Sequence, residues 1–214
     1  MSTSIKPYHH GDLRAALLAA AIESLEAGEP FSMRAVARRA GVSPTAPYRH
    51  FADREALDSA VAIEGFRDLR ADLEAALADL AEPADAAELA ELAAPAVSAA
   101  PEDVITALGV AYVAFALRRP AVFRLMFGNE CDQEDSERVH ASEQLHQMLN
   151  QAIGSLFPDA NNSNLSIALW SVAHGLAFLH LDGKLRPQTS DDVAVRVKSA
   201  VGALFALNNN KSGG

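Results

Sequence analysis

Apolar residues recur at helical spacing along almost the whole chain. Leu13, Leu17, Ala21 and Leu25 share one face of a helix predicted over Asp12–Ala27 and closed by Gly28. Val36, Ala37 and Ala40 give a short second helix its apolar side, with Ser32 placed to cap it and Gly41 to end it. From Glu55 to Leu80 the set Leu57, Val61, Phe66, Leu69, Leu73, Leu77 and Leu80 keeps a three-to-four repeat, which predicts one long helix. Glu82-Pro83 ends it, and Ala84–Ala100, broken by Pro95, reads equally as a weak helix or a flexible insertion. Pro101-Glu102 opens a new helix with Val104, Leu108, Ala111 and Phe115 on one face, and Arg118-Arg119-Pro120 kinks or ends it. Ala121–Phe127 brings Phe123, Met126 and Phe127 close together. A polar loop over Gly128–Glu137 then leads to a helix over about Ser136–Leu156. Leu165–Leu181 is apolar on two faces and belongs inside a core or between subunits. Ser190 is expected to cap the last helix, and the tail after residue 207 to be disordered. The pattern is all-α.

One stretch departs from simple core-forming periodicity. Phe31–Arg54, FSMRAVARRAGVSPTAPYRHFADR, has a capped helix, a turn glycine and a second start at Ser43-Pro44. Pro47 is uncomfortable in a helix that begins at Ser43, so a start nearer Thr45 is expected, with Tyr48, Arg49 and His50 on a short helix and Phe51 turned to the core. This is the spacing of a helix-turn-helix, whose second helix enters the major groove.

Charge sharpens that picture. The 214-residue chain carries a net charge of −10, yet Phe31–Arg54 holds five arginines (34, 38, 39, 49 and 54) against one acid, Asp53. An acidic body is repelled by DNA, so contact is expected at one basic end only. That argues against an architectural, nonspecific DNA binder. The alanine- and leucine-rich composition favours helices. A single cysteine, Cys131, excludes an intramolecular disulfide and fits a reducing cytoplasm. No signal peptide and no apolar stretch of membrane-spanning length is expected.

Residues 10–57, through HGDLRAALLAAAIESL and FSMRAVARRAGVSPTAPYRHFADREAL, resemble the DNA-binding domain of TetR-family transcriptional regulators. The run V-S-x-x-x-x-Y-x-H-F, a basic residue and then Glu-Ala-Leu carry the resemblance. The remainder, with AYVAFALRRPAVFRLMFG and WSVAHGLAFL, resembles one of the family's ligand-binding domains. The implied architecture is a three-helix helix-turn-helix domain over residues 1–54, and a helical ligand-binding and dimerisation domain over 55–207.

By position, Ser32, Arg34, Thr45, Tyr48, His50 and Arg54 match the family's DNA-contacting residues. Tyr48, His50 and Arg54 suit phosphates, and Thr45, Ala46 and Arg49 suit base edges. Pro44 and Pro47 depart from the family's commoner residues and thin the direct readout. The resemblance implies a small-molecule cavity lined by Phe66, Tyr112, Phe115, Phe123, Met126, Phe127, Trp170 and His174, with Tyr112, Trp170 and His174 as polar handles. The competing expectation is that these side chains fill a core.

One short reading helix contacts few bases, so a homodimer on a two-fold site is expected. Its face is assigned to Leu169, Val172, Leu176, Leu179, Val197, Val201 and Leu204 on the last two helices. No cofactor is expected beyond an unidentified small-molecule effector. His140 and His146, and His174 and His180, are each six apart and do not share a helical face as metal ligands would. No catalytic motif is visible, so the expectation is a non-enzymatic, ligand-responsive repressor; a constitutive DNA-binding regulator without a pocket is the alternative.

Overall fold

The computed structural model describes residues 10–80, 99–128, 136–158, 162–186 and 189–209. Every regular element among them is helical: α1 (His10–Glu26), α2 (Met33–Arg39), a 3₁₀ helix (Pro47–Arg49), α3 (Arg54–Ala78), α4 (Pro101–Arg118), α5 (Pro120–Gly128), α6 (Ser136–Leu156), α7 (Asn162–Leu181) and α8 (Ser190–Asn209). The all-α expectation holds. Expectations for residues 84–98, Cys131 and the tail from 210 lie outside the described residues, while Asn208 and Asn209, expected in the tail, belong to α8.

Local chemistry sets the helix ends. Gly28 and Gly41 sit at φ +66 and +70, where only glycine rests without strain. The next amide reaches back over the last turn in each case: Glu29 N–H to the Ser24 carbonyl (3.0 Å) and Val42 N–H to that of Ala37 (2.9 Å). The Ser32 hydroxyl accepts the Ala35 amide at 3.2 Å, as its sequence position predicted. Asp53 Oδ1 accepts the Ala56 amide at 2.8 Å and starts α3. At α8 the expectation is corrected. Ser190 is already helical, and Thr189 is the cap: its Oγ1 accepts the Asp192 amide (3.3 Å) while Asp192 Oδ2 accepts the Thr189 amide (3.1 Å). Thr189 has an acid three residues on to reciprocate, whereas Ser190 has Val193 there.

The chain forms two compact units, Met1–Phe66 with Arg119–Ser142, and Arg67–Arg118 with Glu143–Gly214. In the first, Leu17, Ala21, Val36, Ala37, Phe51, Leu57 and Val61 are buried together as the core of the helix-turn-helix. α5 joins this unit and is held at both ends. The Glu26 carboxylate of α1 accepts the Ala121 and Val122 amides (3.2 and 3.0 Å) at its positive end. Arg138 of α6 donates to the Leu125 and Met126 carbonyls (3.2 and 3.1 Å) at its negative end. Between these ends Phe66 meets Phe127 edge-on at 5.6 Å, and Phe127 lies 4.9 Å from Phe123.

In the second unit α4 packs against α7 and α8. Val104, Leu108, Tyr112 and Phe115 are buried, as the periodicity of α4 required. α7 corrects a sequence expectation. Ser163–Leu181 has a mean hydropathy of 1.3 over 19 residues, long and apolar enough in composition to cross a membrane. Two apolar stripes, rather than one, raise its average. Only 11% of it is buried within the chain, and Ile167 and Leu179 are 58% and 44% exposed.

Gly65 of α3 supplies the first testable consequence. A Cβ there would stand 2.7 Å from Val122 Cγ1 and 2.5 Å from Met126 Sδ, and both side chains are buried. Gly65→Ala is expected to cost about 1–3 kcal/mol by overpacking, read as a lower midpoint in urea unfolding. Adding Val122→Ala should restore part of the loss. An unchanged midpoint in the single variant would show that α5 can shift at no cost.

Candidate DNA-reading surface and body cavity

The reading segment follows from its prolines. Pro44 and Pro47 each lack an amide hydrogen, so a continuous α-helical ladder cannot be built across Ser43–Arg49. The chain bonds at shorter range instead: Ala46 N–H to the Ser43 carbonyl (3.0 Å), Arg49 to Ala46 (3.2 Å) and His50 to Pro47 (2.9 Å). The expected short α-helix is therefore a turn followed by the 3₁₀ helix Pro47–Arg49. Pro47 and Phe51 are buried beneath it.

This geometry turns a small set of side chains outward. Thr45, Tyr48 and Arg49 are exposed, while Ala46 and His50 are half-buried. The Thr45 hydroxyl lies 3.3 Å from that of Ser43, a residue the sequence reading treated only as a helix start. Arg34 is exposed on α2, and Ser32 is engaged by its capping bond. Arg54 stacks its guanidinium 4.5 Å from the Phe31 ring and pairs with Asp58 at 3.0 Å, so it braces the domain as well as presenting charge. Arg39 pairs with Glu23 and Glu29 (3.1 and 2.7 Å), which accounts for it within the domain. Arg14, not singled out in the sequence, lies 5.2 Å over the Phe51 ring.

In the body, Trp170 and His174 are one helical turn apart on α7 and bracket the Tyr112 hydroxyl of α4. Trp170 Nε1–H donates to that hydroxyl at 3.1 Å. Tyr112 Oη lies 2.8 Å from His174 Nδ1. An indole N–H can only donate, so the Tyr112 hydroxyl accepts from Trp170 and shares a second hydrogen bond with His174 Nδ1. Burial pushes the Tyr112 phenol well above its ordinary range, the Trp170 bond opposing slightly, and holds His174 below its ordinary value. His146 closes the cluster with its ring edge-on to Trp170 at 5.0 Å. The W-x-x-x-H-G motif is thus a clamp on one tyrosine.

Beside the clamp is a cavity of about 50 Å³. α4 lines it with Ile105, Leu108, Gly109 and Tyr112, α7 with Ser166, Trp170 and Ala173, and α3 with Leu73. Of the residues assigned to a ligand site, Tyr112 and Trp170 reach it and His174 stands behind them. Phe115 is buried on another side of α4, and Phe66, Phe123, Met126 and Phe127 pack in the other compact unit. Of the residues assigned to a dimer face, all but Leu179 line the cavity within one chain. Helical period alone does not separate these environments. Ser166 lines the cavity without having been expected there; as one of three serines on α7 it carries no signal in the sequence that sets it apart. Among the described residues no group of histidine, cysteine and acidic side chains could hold a metal ion.

A basic helix-turn-helix joined to a helical body defines a DNA-binding transcriptional regulator, and comparison with known proteins gives the family. Residues 17–61 match the family described as bacterial regulatory proteins, tetR family, and residues 105–204 match the tetracyclin repressor-like C-terminal domain. The chain belongs to the TetR family of non-enzymatic, DNA-binding transcription factors. It is 31% identical to a protein of unknown function from Rhodococcus sp. RHA1, over 92% of this chain and 97% of that one, with a TM-score of 0.73. A tetR-family regulatory protein from Rhodococcus RHA1 shares the fold at 19% identity (88% and 94% covered, TM-score 0.60). A TetR-family protein from Mesorhizobium loti MAFF303099 does so at 16% identity (94% and 98% covered, TM-score 0.62). No curated protein matches the chain.

The clamp predicts a pH dependence. Burial keeps the folded His174 imidazole below the 6.5 of a free side chain. Between the folded value and 6.5 the unfolded chain binds the additional proton, so this contribution is complete above about pH 6.5 and is lost as pH falls through that window. The thermal midpoint should drop between pH 7.5 and 5, and drop less in His174→Gln. Equal slopes for the two proteins would remove His174 from the effect.

Proposed function

We propose that the protein is a dimeric repressor that a small-molecule effector releases from its operator. The observation that carries this reading is the outward set Arg34, Thr45, Tyr48 and Arg49 on a basic helix-turn-helix, in a chain whose net charge is −10. Tyr48, His50 and Arg54 are assigned to phosphates, and Thr45, Ala46 and Arg49 to base edges. Arg49 has the reach to meet a guanine edge, and Thr45 and Ala46 suit a thymine methyl. With one proline-shortened segment per head, discrimination comes from two heads on a two-fold operator.

Dimerisation supports that requirement. α7 exposes Ile167, Ala168, Ser171 and Leu179, and an apolar helix face of this kind is covered by a second copy through a self-complementary contact. The cavity beside Trp170 is the effector site in this reading. Leu73 lines it, and α3 continues from Leu73 back to Arg54 without a break, so an occupant that moves this helix shifts the balance between DNA-binding and released forms. No metal or organic cofactor takes part, and the protein works in the cytoplasm with its DNA. The small free volume of the cavity favours a second reading, a constitutive regulator with a packed body; operator affinity unaffected by any molecule that enters the cavity would select it.

Fluorescence anisotropy with the upstream intergenic DNA of its own gene, against scrambled DNA at two salt concentrations, tests the regulator reading. Tight binding to the first alone is expected, with Arg49→Ala weakening it by about 1–3 kcal/mol. Equal, steeply salt-dependent binding to both DNAs would reduce the head to an electrostatic patch. For the dimer, Ile167→Asp should give a monomer by sedimentation and lose most operator affinity; a dimer that survives it would move the interface elsewhere.

A further inference from the structure

We infer that the effector is an uncharged, mainly apolar molecule carrying one hydroxyl or carbonyl group, which hydrogen-bonds to the Ser166 hydroxyl. The inference rests on the proposed use of the Trp170 cavity as the effector site.

Charge is the first constraint. The cavity wall is built from leucine, isoleucine, valine, alanine and glycine, with Tyr112, Ser166 and Trp170 as its only polar side chains. No lysine, arginine, histidine or acidic residue among the described residues lines it. An ion entering such a space gives up its hydration and finds no countercharge, whereas a neutral molecule gives up little. The site therefore selects against carboxylates, phosphates and ammonium groups.

Polarity is the second. Two of the three polar groups already serve each other: Trp170 Nε1–H donates to the Tyr112 hydroxyl, which is also hydrogen-bonded to His174. Ser166 differs. Its Oγ is buried and meets no hydrogen-bond partner among the described residues. Ser171 on the same helix and Ser199 on α8 each donate to the carbonyl four residues back, at 2.7 and 2.8 Å, which is the usual outlet for a helical serine. Ser166 makes no such bond and the residue lies on the cavity wall; its Oγ is covered in the resting cavity, and once an occupant turns the covering side chains aside it can donate to a carbonyl or accept from a hydroxyl. One orphaned hydroxyl in an apolar wall specifies one oxygen on the ligand. The free volume of about 50 Å³ means that an occupant enters by turning aside side chains such as Leu204, which is 38% exposed.

Trp170 makes the test direct, because it is the chain's only tryptophan and lines the cavity. Its fluorescence would be followed at pH 7.5 while the full chain is titrated with 1-octanol, octanoate and n-octane. Saturable binding of 1-octanol is expected, at least about tenfold tighter than octanoate. Ser166→Ala should weaken 1-octanol by about three- to tenfold and leave n-octane unchanged, which also shows that the variant keeps its cavity. Octanoate binding as tightly as 1-octanol would overturn the neutral class. An equal loss for 1-octanol and n-octane in Ser166→Ala, or no loss for either, would overturn the role of Ser166. No saturable change with any probe would overturn the reading of the cavity as an effector site, a different result from either of the others. Ala173→Phe, which fills the space, should abolish the 1-octanol signal; a signal that persists would place the bound alcohol elsewhere and overturn the assignment.

Discussion

Two prolines in the reading segment constrain much of what the chain does. With no amide hydrogen at Pro44 or Pro47, the backbone settles for a turn and three residues of 3₁₀ helix. The surface offered to DNA is short, and it is held rigid from beneath by Pro47 and Phe51. Long side chains are few there. Recognition through so small a surface depends on repetition, and on the reading proposed above the exposed apolar face of α7 supplies it. The polar, basic head and the unusually apolar seventh helix are then two halves of one arrangement. The first reads too little alone, and the second is too hydrophobic to stand alone.

The body turns on a different bond. Tyr112 would be a poor residue to bury without partners, since an unmatched hydroxyl in an apolar interior is costly. Trp170 donates to that hydroxyl and His174 shares a second hydrogen bond with it. Their spacing on α7 ties that helix to α4 at a fixed register. Next to this satisfied cluster stands Ser166, which is unsatisfied. That contrast separates a side chain that holds the fold from one that remains available to a ligand.

Much of this was legible in the sequence. The helix order followed from apolar spacing and from glycines and prolines at the ends, because those signals are local. Ser32, Gly41 and Asp53 act where such residues should. The errors were of other kinds. The Thr189 cap rests on a reciprocal bond from Asp192, a three-residue spacing that is visible in the sequence and that the choice of Ser190 passed over. The reading helix was expected to start near Thr45 so that Pro47 fell in its first turn, whereas the chain forms a 3₁₀ helix that begins at Pro47 itself. Tyr112 and Phe115, three residues apart, looked like neighbours on one cavity wall, yet only Tyr112 reaches it. Phe66, Phe123 and Phe127 share the composition of a ligand site and are packed against one another. Core and cavity positions carry the same residue types at the same period, so only three-dimensional contacts distinguish them.

The Glu26 carboxylate bears on how the protein is made. It closes the last turn of α1, but its partners are the amides of Ala121 and Val122, 95 and 96 positions further along. The helix-turn-helix is therefore finished by a segment that is made 95 residues after the helix it braces. Until then the scaffold helix ends in an unmatched carboxylate, and Gly65 faces open space instead of Val122. A chain cut off after α3 keeps every residue assigned to DNA contact but lacks the element that braces them. The head is completed only when residues made long after it arrive.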